Sequence, residues 1–144
     1  MKITSPDFKH NARMPSHLTC DGADVSPVLD IDMVPAEAKS LALIVDDPDA
    51  PKGTWDHWII YNIPPDKKHI WSGEVPGEQV MNSFQKAAWG GPCPPSGTHR
   101  YFFKLYALDR RLNLGLRAYK NDLEAAMAGH ILAQAELIGL YQRQ

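Results

Sequence analysis

An all-β sandwich with long loops is the fold this sequence predicts, and two observations predict it. Glycine (10) and proline (12) make up 22 of 144 residues and gather at Ser26-Pro27, Pro35, Pro48–Gly53, Pro64-Pro65, Gly73–Gly77 and Gly90–Gly97. Short runs suited to strands lie between these breakers, instead of the strand–helix alternation that marks a parallel α/β sheet. Against a prior of roughly 150 residues per domain, residues 1–144 form one domain.

Three strands carry most of the reading. Leu41–Asp46 is nearly continuously apolar, as expected of a strand buried on both faces. His57–Ile63 alternates, placing His57, Ile59, Tyr61 and Ile63 on one face and Trp58, Ile60 and Asn62 on the other. The Gly90–Gly97 stretch is a loop. His99–Leu108 then puts His99, Tyr101, Phe103, Leu105 and Ala107 on an inner face, with Arg100 and Lys104 pointing away. Toward the end, Asn121 as N-cap with Glu124 at N3 predicts a helix over Asp122–Ala128. Gly129 stops it, and the period-two pattern Ala133–Leu137 predicts a last strand.

Composition excludes several classes. Fifteen Lys and Arg against seventeen Asp and Glu give a net charge of −2, without the basic bias of a nucleic-acid binder. The longest aliphatic run, Leu41–Val45, is far below the roughly 20 apolar residues of a membrane-spanning helix. Residues 1–20 show no basic start followed by an apolar stretch, so a cytoplasmic protein without a secretory signal is expected. Cys20 and Cys93 form no Cys-x-x-Cys, and two semi-buried thiols are the expectation; a bridge needs the backbone to bring them within reach.

Chemistry concentrates at loop ends. Asp47 and His57 bracket one ten-residue loop, and His99 opens a strand after another, so Asp47, His57, His99 and Tyr101 converge at one rim if the strands are neighbours. A carboxylate beside two imidazoles raises their pKa values and favours the doubly protonated form, which with a phenol offers several donors to a small anion. Affinity is then expected to fall as pH rises through the histidine range. His10, His17, His69 and His130 lack such a context. No His-x-x-His supports a metal site, and neither a Gly-x-Ser-x-Gly elbow nor a phosphate-cradling Gly-x-x-x-x-Gly-Lys loop is present. Cys93 sits among Pro92, Pro94 and Pro95, which supply no backbone N–H for an oxyanion hole. An alternative is a hydrolase or lyase using Asp47–His57 as general base on small phosphoesters or esters.

Asp47-Pro48-Asp49-Ala50-Pro51, Trp55-Asp56-His57-Trp58 and Gly97-Thr98-His99-Arg100-Tyr101 resemble the signature blocks of the phosphatidylethanolamine-binding protein family, which includes the Raf kinase inhibitor proteins. Cys20-Asp21-Gly22, the Gly90–Pro95 loop and the ending Ala135–Tyr141 resemble its compact bacterial and archaeal branch. The resemblance implies a Greek-key β-sandwich with one or two short helices and a small cavity at one end. By motif position Asp47, His57, His99 and Tyr101 fall on the family's anion pocket, with Pro51, Pro92, Cys93, Pro94 and Pro95 on its loops. It implies no catalysis and no cofactor. Phosphate, a phospholipid head group or a carboxylate is the implied ligand, a kinase or a protease the implied protein partner, and a homodimer the implied assembly. One X-Pro bond of the Asp47–Pro51 loop is a candidate for cis geometry. The chain departs from the branch at Asp24, usually Asn, and at Asp30-Ile31, usually a small polar residue and Trp; the C-terminal helix of animal members is expected to be absent.

Overall fold

A computed structural model describes residues 1–143. Its elements run β1 (Lys2–Thr4), β2 (Ala12–Arg13), a 3-10 turn (Ser16–Leu18), β3 (Leu29–Asp32), β4 (Ser40–Asp47), β5 (Trp55–Ile63), β6 (His69–Ile70), β7 (Glu78–Gln79), β8 (His99–Leu108), α1 (Lys120–Met127) and β9 (Ile131–Tyr141). A small sheet has the order β1-β3-β6 and a large one β2-β9-β8-β4-β5-β7. Within the large sheet β4, β5 and β7 lie side by side and β8 returns to the far side of β4, the four-one-two-three order of a Greek key. The predicted sandwich is therefore the one observed.

The apolar run of β4 is explained by what covers it. Every residue of β4 is buried. Leu41, Leu43 and Val45 face an inner core closed by Ile3, Leu29, Ile31 and Ile70 of the small sheet. Ala42 and Ile44 face an outer core closed by Leu123 and Met127 of α1 together with Leu112 and Val80. The β8 alternation is observed as read, with Tyr101, Phe103, Leu105 and Ala107 in the inner core. No helix among the described residues is long and apolar enough to cross a membrane.

The alternation read for β5 fails at both ends because the strand carries two bulges. The pairs Leu41↔Ile63 and Leu43↔Ile60 leave one extra residue on β5, where Asn62 has φ 55°. The extra residue turns Ile63 into the inner core with Trp58 and Ile60, away from Ile59 and Tyr61. The pairs Val45↔Trp58 and Asp46↔Asp56 leave His57 as a second extra residue. An inserted residue of this kind faces the same side as its neighbour, so the His57 ring lies on the inner side of the sheet with Trp58.

Smaller corrections concern α1, the loop and the cysteines. The helix starts with Tyr119 as N-cap, two residues before the predicted Asn121, because Asp122 rather than Glu124 reaches back; its Oδ2 accepts from Tyr119 N at 2.8 Å. Gly129 at φ 81° ends it as expected. No cis peptide bond occurs among the described residues, so the Asp47–Pro51 loop closes with trans prolines. Cys20 and Cys93 form a disulfide, with Cα atoms 5.5 Å apart. The expectation of two thiols is overturned because hydrogen bonds already hold their loops together: Cys20 N to Pro92 O, Gly91 N to Asp24 Oδ1 and Trp89 Nε1 to Leu18 O.

Candidate functional site

The carboxylate at the end of β4 makes two bonds. Oδ1 of Asp47 accepts from Asp49 N at 2.8 Å, which turns the chain at Pro48, and Oδ2 accepts from His99 Nδ1 at 2.7 Å. β4 and β8 are antiparallel neighbours, so the last residue of one and the first of the other meet on the inner face. Beside them Asp49 takes Arg100 in a two-pronged ion pair, through Nε to Oδ2 and Nη2 to Oδ1, and also accepts from Arg100 N. That guanidinium, the largest influence, holds the Asp49 carboxyl down at about 2. Arg100 thus secures the loop from the outer face and does not enter the hollow.

His57 is held differently from the sequence expectation. Its Nδ1 donates to the Gly90 carbonyl at 2.6 Å, leaving Nε2 as the free ring nitrogen. Burial lowers its pKa below the usual histidine value, against the opposing pull of the Gly90 carbonyl and of Asp47. The doubly protonated form expected from a neighbouring carboxylate is therefore not favoured at this ring, because desolvation wins. The carboxylate–imidazole pair is Asp47–His99, not Asp47–His57.

Tyr101, next inward on β8, packs edge-on against His57 at 5.2 Å between ring centroids. Only 1% of it is exposed, and its hydroxyl has no hydrogen-bond partner among the described residues. Burial first, and Asp47 second, push its pKa up, so the phenol keeps its proton.

These four side chains, all buried, line a hollow of about 220 Å³. Its walls also include Pro51, Cys93, Pro94 and Pro95, together with Ala50, Trp55 and Phe84. Pro92 does not line it: it is buried behind the wall, and its carbonyl accepts from Cys20 N. Sequence reasoning missed Ala50, Trp55 and Phe84. Ala50 and Trp55 lie in the loop already singled out, but Phe84 had no motif to betray it. It arrives on a loop wound around Asn82, whose Oδ1 accepts from Phe84 N and Lys86 N and whose Nδ2 donates to the carbonyls of His57 and Ala88. Gly90 lets it in, since a Cβ there would lie 2.5 Å from the Phe84 ring.

The hollow is thus lined by a carboxylate, two imidazoles and a phenol, all buried, together with prolines and aromatics. Of the histidines set aside, His69 bonds Asp30, His130 bonds Asp109, and His10 accepts from Ile138 N. Asp24 at φ 58° explains a position where Asn is usual, since both residues tolerate the left-handed region.

Comparison with known proteins gives a consistent result. The model of the phosphatidylethanolamine-binding protein family matches residues 4–142. A UPF0098 protein of Methanothermobacter thermautotrophicus is 51% identical over 150 residues, spanning 99% of this chain and 99% of its own. A UPF0098 protein of Aquifex aeolicus is 45% identical over 152 residues, spanning 99% of this chain and 89% of its own. The crystal structure of a phosphatidylethanolamine-binding protein homolog from Chlamydia trachomatis matches with a TM-score of 0.96 at 40% identity, covering 99% of this chain and 97% of that one. That of E. coli YbcL, described as a new member of the mammalian family, matches with a TM-score of 0.91 at 28% identity, covering 99% and 98%.

Proposed function

This chain belongs to the phosphatidylethanolamine-binding protein family, and from that premise we propose that it is a non-enzymatic receptor for a small phosphoryl or carboxylate anion, bound at the floor of the Asp47–His57–His99–Tyr101 hollow. One observation carries the reading: Tyr101 lines the hollow, and its buried hydroxyl lacks a partner among the described residues. An unmet buried donor costs about 1–3 kcal/mol, a cost that an anion entering the hollow relieves. The histidines refine the picture. Each spends Nδ1 on the protein, and burial favours the neutral His57 ring, so a hydrogen bond from His57 Nε2 to a fully ionised phosphate needs a proton taken up there.

Calorimetric titration with inorganic phosphate tests this. The wild type is expected to bind with net proton uptake, visible as a dependence of the heat on buffer ionisation enthalpy. Tyr101→Phe is expected to bind about tenfold more weakly, the loss of roughly one hydrogen bond to a charged acceptor. Equal affinity in Tyr101→Phe would sink the proposal. The Asp47–His99 pair keeps a general-base hydrolase in view as the contrary outcome. Steady turnover of aryl phosphates or acetates, abolished in a folded His99→Ala, would replace the receptor reading with an enzymatic one.

A further inference from the structure

The Cys20–Cys93 bridge joins a firmly held segment to a loosely held one. On the Cys20 side, Leu18 and Thr19 are fully buried. Thr19 Oγ1 donates to Ser16 O and accepts from Asp21 N, while Val25 N donates to His17 O. Asp21 also clasps the end of β9, accepting from Tyr141 Oη at 2.6 Å and from Arg143 Nε at 3.1 Å. These bonds hold the segment whether or not the bridge is closed.

The Cys93 side has few ties. Pro92 O accepts from Cys20 N, and Thr98 Oγ1 donates to Gln142 Oε1 at 3.1 Å. Between those anchors, residues 93–97 make no backbone–backbone hydrogen bond among the described residues. Yet this stretch supplies Cys93, Pro94 and Pro95 to the wall of the hollow. The bridge is the covalent clamp that holds that wall against the firm segment. Both cysteines are exposed, within reach of a reagent in the solvent.

Resting on the anion reading of the hollow, we infer that Cys20–Cys93 is an exchange site for small thiols or dithiols, and that its closed form is the anion-binding form. A reagent thiolate attacks one sulfur of the bridge and expels the other as a thiolate; a second reagent thiolate then resolves the mixed disulfide. The bridge gains two electrons, the two reagent protons end on Cys20 and Cys93, and one reagent disulfide leaves. Residues 93–97 thereby gain backbone freedom, which a bound anion has to remove again. Linkage makes the effect mutual. Whatever factor reduction takes from anion affinity, the bound anion adds to the bridge's resistance to reduction.

Calorimetric titration with inorganic phosphate before and after treatment with dithiothreitol tests the inference. The reduced protein, checked for its fold by circular dichroism, is expected to bind about tenfold more weakly, the cost of re-ordering roughly one residue of backbone. Reoxidation with glutathione disulfide is expected to restore the affinity. Cys20→Ser, which leaves the lining of the hollow intact, is expected to bind as weakly as the reduced wild type and to ignore dithiothreitol. In the unaltered chain at constant ionic strength, saturating phosphate is expected to lower the bridge's reduction potential by about 30 mV, the same tenfold factor for a two-electron couple. Equal affinity in the two redox states overturns the inference, as does an unshifted potential. So does a bridge that resists dithiothreitol until the protein is denatured, or a reduced chain that loses its fold. If the oxidised protein fails to bind phosphate, the anion reading of the hollow falls first and this inference with it; if both states bind alike, only the inference falls.

Discussion

Asp47 and His99 close the ends of two adjacent strands, Oδ2 of one 2.7 Å from Nδ1 of the other, with side chains only 5% and 8% exposed. Asp47→Ala strands a buried ring nitrogen and also frees the Asp49 amide. The expected cost is about 3 kcal/mol, the scale for removing one partner of a buried pair. Asp47→Asn keeps an acceptor and recovers part of it. Urea unfolding midpoints decide; a loss below about 1 kcal/mol for the alanine variant contradicts the assignment.

The lowered pKa of His57 has a signed consequence. Its unfolded value is near 6.5 and its folded value lies below that, so the unfolded chain binds the extra proton first as pH drops. The contribution to stability is complete above about 6.5 and is lost as pH falls through the folded value. Thermal melts in a pH series are expected to show an acid-side decline that is shallower in His57→Gln. Identical slopes for the two proteins would mean that this ring is not held neutral.

Reduction of Cys20–Cys93 releases a loop of 73 residues in sequence separation. Chain-entropy arguments put the expected loss at about 4 kcal/mol, as an upper value because the hydrogen bonds between the loops stay in place. Denaturant midpoints with and without dithiothreitol, and for Cys20→Ser, measure it. A chain that titrates two free thiols before reduction contradicts the bridge.

Three glycines form a graded series. A Cβ at Gly91 would lie 2.2 Å from the Leu18 carbonyl oxygen, which is backbone and cannot move aside. Gly91→Ala is expected to cost more than about 3 kcal/mol or to prevent folding. At Gly90 the obstacle is the half-exposed Phe84 ring, so alanine there is expected to cost about 1–2 kcal/mol. Gly115 has open space around it, and Gly115→Ala serves as a near-neutral control. Far-ultraviolet circular dichroism during denaturation ranks them, and any other order contradicts the packing described.

Much of this molecule was legible before its structure. The sealed strand β4, the inner face of β8 and the stop at Gly129 followed from apolar runs, alternation and one breaker. His57 was legible because it and Asp47 bracket one loop, but the face its ring takes was not. Strict alternation groups it with Ile59 and Tyr61, which face the outer core, yet the ring meets Tyr101 on the inner side. A bulge inverts the alternation there, and bulges are set by register against neighbouring strands, which a single strand's pattern does not encode. The imidazole charge was misjudged because desolvation depends on how completely the mouth loops cover the ring. Phe84 stayed hidden because its place comes from a hub of hydrogen bonds around Asn82, between residues whose side chains carry no periodic signal.

Strand β4 is hydrogen-bonded to a neighbour on both edges and capped by packed side chains on both faces. Its amides are expected to exchange with deuterium only when the whole domain opens, whereas those of the exposed Ser96, Gly97 and Thr98 need only local fraying. A guest molecule therefore meets an unyielding seat beneath an adaptable entrance. Variation between homologues can reshape what is admitted without retuning the anchor that grips it.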